Sequence, residues 1–218
     1  MAIRFEDIKE HIGSRVVWDD RADVFTPEAA KAIRAKVEER TVVVFPELNL
    51  TDAEQLEITN LMGEKVRLTA RNNVQSNDAD VYQVTLDEKI NPQPEYVLGT
   101  FFWHMDGITV DMPPPFATLL SCRIAPDKGG ETEFASTYAA YEGLSDEEKD
   151  ELGGMKAVHS VRASLSPIAD AIPEKHREKV LGIGLVKEHP LVWTHESGRK
   201  SLVIGTTADH IVGCLLYT

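Results

Sequence analysis

The residues most able to do chemistry together are His104 and Asp106, inside Phe101-Phe102-Trp103-His104-Met105-Asp106-Gly107. On a strand, positions i and i+2 project from one face, so an imidazole and a carboxylate at this spacing can point at one ion. The pair supplies two of the three donors of the 2-His-1-carboxylate triad of non-haem iron(II) sites. That set leaves one side of the metal open for small molecules. The spacing alone is weak: seven histidines and fifteen aspartates in 218 residues give by chance about half a His-x-Asp. A polar pair at a strand end is the competing reading.

The elements that must position this pair follow from the rest of the chain. Thr26 caps a helix with Pro27 at its first position and Ala30, Ile33 and Val37 along one face. The β-branched run Thr41–Phe45, closed by Pro46, reads as a buried strand. A second helix starts at the Thr51/Glu54 capping box and stops at Gly63. From Val81 onward the pattern changes to short apolar stretches and turns. Strands are expected over Val81–Thr85, Tyr96–His104, Phe116–Ile124 and Glu131–Ala135, the last after a Gly129-Gly130 turn. Short helices are expected over Ser136–Gly143 and Ser145–Leu152, the latter with a Ser145/Glu148 capping box. Ser164–Lys179, with Pro167 and Pro173, reads as an excursion over the surface. Leu191–Thr194 and Ser201–Gly205 flank Glu196-Ser197-Gly198-Arg199, a hairpin signal. The pattern predicts an α+β fold, mainly β with helices, built as a β-sandwich or jelly roll. Residues 1–218 are expected to form a single domain, with a helix-rich part over 1–80 and the β core over 81–218.

Composition narrows the function classes. Hydrophobic residues make up 42% and charged residues 27%, an ordinary globular balance. The 23 Lys and Arg against 36 Asp and Glu give a formal charge of −13, which opposes binding a phosphate backbone, so no nucleic-acid partner is expected. No apolar run approaches the length of a membrane helix and the first residues lack the apolar stretch of a signal peptide, so the expected location is cytoplasmic, with no membrane partner. Cys122 and Cys214 lack the spacing of a thiolate zinc site or a disulfide framework.

Four motifs occur in a fixed order: Trp103-His104-Met105-Asp106; Gly129-Gly130-Glu131-Thr132-Glu133-Phe134; Ala139-Ala140-Tyr141-Glu142-Gly143-Leu144; and His189-Pro190-Leu191-Val192-Trp193-Thr194-His195 with Ser197-Gly198-Arg199-Lys200-Ser201-Leu202. Together, from about Val42 to Val212, the chain resembles the taurine and chlorophenoxyacetate dioxygenase family of iron(II)/2-oxoglutarate-dependent enzymes. The resemblance implies a double-stranded β-helix, with His104 and Asp106 as iron ligands. It implies that Thr132 hydrogen-bonds the 2-oxoglutarate carboxylate, a role a hydroxyl beside a strand fills at low desolvation cost. Taken alone, Thr132 reads as an ordinary strand residue.

The implied cofactor is Fe(2+), with 2-oxoglutarate and O2 as co-substrates and succinate and CO2 as products. The implied partner is a small anionic organic substrate such as a sulfonate, sulfate ester or aryloxyalkanoate. Phe102 and Trp103 are expected in a core or pocket wall, and Arg199 and Lys200 on the hairpin surface. No residue matches the family's third iron ligand, a histidine, or the arginine that pairs with 2-oxoglutarate. His189, His195 and His210 are expected to be strand-end or surface histidines. The jelly roll is therefore expected to be incomplete at its C-terminus, with an open sheet edge favouring homo-oligomers. The alternative to an active dioxygenase is a truncated, catalytically impaired relative acting as a binding or assembly protein. A cupin-like metal hydrolase or isomerase needing no 2-oxoglutarate ranks below both.

Overall fold

The structure, a computed structural model, describes residues 2–65, 81–91, 95–109, 115–182 and 184–214. The chain divides into two compact units: residues 1–67 with 117–136, and residues 68–116 with 137–218.

In the first unit, β1 (Ile3–Asp7) pairs antiparallel with β2 (Ser14–Trp18), and β2 pairs parallel with β3 (Val43–Val44). Ile3 and Val16 are buried while Arg4 and Arg15 face solvent, the period-2 alternation of a sheet with one covered face. The parallel β2–β3 pairing requires a crossover, and α1 (Pro27–Arg40) provides it. Thr26 Oγ1 accepts the Ala29 N–H at 3.1 Å and Pro27 fills the first turn, as the sequence predicts. The buried residues Ala29, Ala30 and Ile33 of α1 lie on its covered side.

Helix α2 (Asp52–Met62) starts at the predicted Thr51/Glu54 capping box and stops at Gly63. Arg21 Nη1 lies 2.6 Å from the Glu54 carboxylate. That ion pair, together with the Thr51 backbone and hydroxyl, holds the Glu54 carboxyl at a pKa of about 2. Ile3, Val16, Val24, Ala29, Ile33, Leu48, Leu50 and Ile58 form the core, with Leu119 packed against it. The Leu119 carbonyl accepts a hydrogen bond from Gln55, and Arg123 bonds both Asp52 and Gln55, so residues around 119–123 are tied to α2.

In the second unit, α3 (Glu95–Leu98) runs into a 3-10 turn, Gly99–Phe101. Helices α4 (Thr137–Glu142) and α5 (Asp146–Leu152) fall where the sequence places them, the latter with its Ser145/Glu148 capping box. Strand β4 (Lys156–Ser160) is the centre of a three-stranded antiparallel sheet, between β5 (Val186–Pro190) and β8 (Ala208–Ile211). The predicted hairpin forms: β6 (Val192–Thr194) pairs with β7 (Lys200–Leu202). Gly198 takes φ +84° in its turn.

Several expectations are corrected. Over Ser164–Lys179 the chain is not an open excursion; α6 (Val161–Leu165), a 3-10 turn (Ser166–Ala171) and α7 (Glu174–Leu181) bury Leu165 and Ile172 in a core of their own. Pro167 and Pro173 start these helical turns instead of breaking them, because a helix's first residues need no N–H donor. Tyr96–His104 is not a strand, since it winds through α3 and the 3-10 turn. Val81–Thr85, Phe116–Ile124 and Glu131–Ala135 join no ladder among the described residues. An apolar run sets only a preference for extended backbone; a strand also needs a neighbour for its N–H and C=O groups. Exposed Ile124 (90%) and Leu120 (60%) lack the covered face their pattern predicts. As a result the architecture is mixed α and β, and among the described residues helices hold more of the chain than strands, not the reverse.

Candidate metal centre

His104 and Asp106 are brought together, but by a turn and not by a strand. After the 3-10 turn the backbone extends at Phe102 (φ −103°, ψ 147°) and bends again at residues 106–109, with Gly107 at φ +72°. The His104 Nδ1–H donates to the Phe102 carbonyl at 2.7 Å. With Nδ1 carrying the proton in the neutral ring, Nε2 presents its lone pair, and Nε2 lies 3.4 Å from Asp106 Oδ1. The Asp106 carboxylate raises the His104 pKa most; burial opposes it and the Phe102 carbonyl adds to it.

The donor spacing fits one ion. Ligand atoms about 2.1 Å from a metal and roughly 90–109° apart lie about 3.0–3.4 Å from each other. A backbone carbonyl holding the second ring nitrogen is also how metal-bound histidines are commonly oriented. The separation of the two donor atoms is that of two ligands on one cation, and the proton their ion pair holds must leave before a metal could take its place.

The turn carrying the pair is held from three directions. The Trp103 carbonyl accepts the Thr206 N–H at 2.8 Å. Gly205, at φ +144°, lies so close that an added Cβ would meet the Trp103 oxygen at 3.1 Å and the His104 Cα at 3.2 Å. On the far side of Asp106, the Ile108 carbonyl accepts the His189 Nε2–H at 2.6 Å, in a buried hydrogen bond. Sequence reasoning assigned none of these three roles, and no local pattern marks them.

Thr132 belongs to the other unit. It is exposed, in an extended segment that follows a turn with Gly129 at φ +77° and Gly130 at φ +78°. A Cβ on Gly130 would meet Pro126 Cγ at 2.9 Å, so the turn excludes a side chain there.

His189, His195 and His210 stand at strand and turn positions. His189 is buried on β5 and His210 lies on β8, its Nδ1 2.6 Å from Asp209. His195 sits in the hairpin turn, bonded to Ser201 Oγ at 2.8 Å with its ring 4.6 Å from that of Tyr138. Among the described residues no group of three or more His, Cys, Asp or Glu side chains is placed to hold a metal.

Arg199 and Lys200 are not idle hairpin surface. Arg199 stacks 4.0 Å over the Tyr138 ring and pairs with Glu142 at 2.9 Å, tying the hairpin to α4. Trp103 is 57% exposed and so is not a core residue; Phe102 is half-buried. Both cysteines are free and exposed. No helix among the described residues is long and apolar enough to cross a membrane.

Known proteins share this pattern. The chain is 29% identical over 200 residues to an alpha-ketoglutarate-dependent 2,4-dichlorophenoxyacetate dioxygenase of Burkholderia sp. (strain RASC), an alignment covering 86% of this chain and 66% of that protein. It is 32% identical over 196 residues to an alpha-ketoglutarate-dependent sulfate ester dioxygenase of Pseudomonas putida, covering 88% of this chain and 61% of that one. The chain thus spans a little under two thirds of each relative's length. Its fold matches the crystal structure of AAD-2 in complex with Mn(II) and N-oxalylglycine at a TM-score of 0.73, with 24% identity over 98% of this chain and 73% of that one. The family description "Taurine catabolism dioxygenase TauD, TfdA family" matches residues 4–215, nearly the whole sequence, and the chain belongs to that family.

Proposed function

We propose that the protein is an iron(II)/2-oxoglutarate-dependent dioxygenase that oxidises a small anionic organic substrate and releases succinate and CO2. The observation that carries this reading is the His104–Asp106 pair: Nε2 and Oδ1 3.4 Å apart, with the opposite ring nitrogen already bonded to a carbonyl. The family's relatives supply its second support, being named for alpha-ketoglutarate-dependent action on phenoxyacetates and sulfate esters. The likeness to AAD-2 supports a double-stranded β-helix as the frame.

In this reading His104 Nε2 and an Asp106 carboxylate oxygen hold the iron, which when bound supplies the activation of dioxygen at the expense of 2-oxoglutarate. His104 must be neutral to ligate. The proton that Asp106 stabilises on the ring is released on metal uptake, so uptake weakens as pH falls. The Phe102 carbonyl keeps Nδ1 protonated and fixes the ring plane, so the lone pair stays aimed. The family resemblance assigns the Thr132 hydroxyl to a hydrogen bond with a carboxylate oxygen of 2-oxoglutarate.

The test is an anaerobic Fe(II) titration followed by 2-oxoglutarate turnover in air, on the wild type and on His104→Ala and Asp106→Ala. One iron per chain and succinate release in the wild type, both lost in the variants, is the expected result. A wild type that takes up no iron and leaves 2-oxoglutarate intact refutes the proposal and favours the binding-protein alternative.

A further inference from the structure

The mechanism above uses no histidine other than His104, yet two more are fully enclosed. His159 is 0% and His189 1% exposed. They sit on neighbouring antiparallel strands: His189 pairs with Ala157, and His159 stands two residues further along β4 on the same face. Their rings meet edge to face at 5.7 Å between centroids. A polar ring with no exposure is costly unless something it bonds is worth holding.

Each ring has such a partner. His159 Nδ1 bonds Thr207 Oγ1 at 2.9 Å, beside the Gly205–Thr206 segment that touches the turn at Trp103 and His104. His189 Nε2 donates to the Ile108 carbonyl at 2.6 Å, two residues past Asp106. Because a carbonyl can only accept, Nε2 must carry the proton and the neutral tautomer is fixed. His189 Nδ1 is buried without a hydrogen-bond partner among the described residues. The ring therefore spends its one neutral N–H on the ligand turn. Burial, with the His189 ring beside it, pushes the His159 pKa down, opposed by the Val203 backbone.

We propose that His189 is a positioning residue for the metal centre: its Nε2–H pins the Ile108 carbonyl and so fixes the direction in which Asp106 presents its carboxylate. This rests on the reading of His104 and Asp106 as metal ligands. His104 is oriented locally, by Phe102, two residues away. Asp106 is followed by Gly107 at φ +72°, and the Ile108 carbonyl just beyond is where the buried His189 ring holds this turn. His189 does so from 81 residues further along the sequence, across a strand whose own ladder to β4 is complete over five residue pairs. Ile108, 3% exposed, packs the anchored residue into the interior, so the pin cannot slide.

Two substitutions of equal polarity separate anchoring from burial. A glutamine amide nitrogen reaches where a histidine Nε2 lies, whereas an asparagine amide nitrogen stops at the Nδ1 position. His189→Gln keeps the donor near Ile108 and His189→Asn removes it. Binding of Fe(II) under argon is measured by calorimetry for the wild type and both variants, with circular dichroism to check folding. The expected result is His189→Gln within about threefold of wild type and His189→Asn weaker by about 10–100-fold. Equal affinity of the two variants overturns the proposal while leaving the ligand reading intact; a wild type that binds no metal overturns both.

A second measurement needs no variant. In long-range proton–nitrogen spectra of the wild type, His189 is expected to report the Nε2–H tautomer, and its ring signals to shift on saturation with Zn(II). A His189 ring in the Nδ1–H tautomer, or one indifferent to Zn(II), also overturns the proposal.

Discussion

Replacing Gly205 by alanine puts a methyl group against the turn that carries His104, and the structure gives the size of the effect. Two costs add. A residue with a side chain at φ +144° is strained by about 1–3 kcal/mol. The new Cβ would also stand 3.1 Å from the Trp103 oxygen and 3.2 Å from the His104 Cα, both backbone atoms, so the turn must retreat by a few tenths of an ångström. Overpacking of this kind costs on the order of 1 kcal/mol or more. The expected loss is about 2–4 kcal/mol, read from urea unfolding followed by tryptophan fluorescence, and Fe(II) affinity should fall about tenfold because the retreat moves His104. Gly198→Ala is the control. Gly198 also has positive φ (+84°), but nothing lies within 4 Å of its added Cβ. That variant should show the backbone cost alone, about 1–3 kcal/mol, and wild-type iron affinity. If the two alanines are indistinguishable in both assays, the close approach of Gly205 to His104 has no consequence and the reasoning fails.

Three further outcomes are expected. Thr132→Ala should raise the KM for 2-oxoglutarate by about 10–100-fold, the value of one hydrogen bond to a charged group, with iron affinity unchanged; an unchanged KM removes Thr132 from the site. Ile33→Ala, in the core of the first unit, should cost about 2–5 kcal/mol by leaving a cavity, measured by urea denaturation. The Glu54 carboxyl, held at about 2 in the folded chain against about 4.5 normally, stabilises the fold at pH values above the ordinary carboxylate range. That contribution is lost as pH falls from about 4.5 toward 2. Glu54→Gln never has it, so the Tm gap between wild type and variant should close across that window, and a gap independent of pH contradicts the ion-pair and capping account.

What the sequence discloses depends on how far apart the interacting groups are along the chain. The starts of α1, α2 and α5 were legible because Thr26, Thr51 and Ser145 bond backbone within three residues of themselves. The hairpin at Glu196–Arg199 was legible for the same reason: its turn chemistry is local. Strands β4, β5 and β8 left no comparable mark. Lys156–Ser160 contains a lysine, a histidine and a serine, and becomes a central strand only because Val186–Pro190 and Ala208–Ile211 flank it.

Conversely, Phe116–Ile124 has a strand's composition and joins no ladder among the described residues. The candidate site divides in the same way. His104 and Asp106 are singled out as a pair by their spacing, although a strand was the expected frame and the structure uses a turn. Thr132 is singled out only through the family resemblance of its Gly-Gly motif. His189 and Gly205 could not be, because what gives them meaning is a carbonyl or a Cα about a hundred residues earlier.

The same separation orders events during synthesis. Residues 103–108 leave the ribosome well before His189, Gly205 and Thr206 are made, so the nascent chain carries the His104–Asp106 turn for many seconds without its supports. The first sheet and helices, whose contacts are mostly short in sequence, can fold in that interval. In the proposed reading, loading with iron is a late event, gated by arrival of the β4–β5–β8 strands. A cell short of that metal would accumulate a chain already folded but with its last step outstanding.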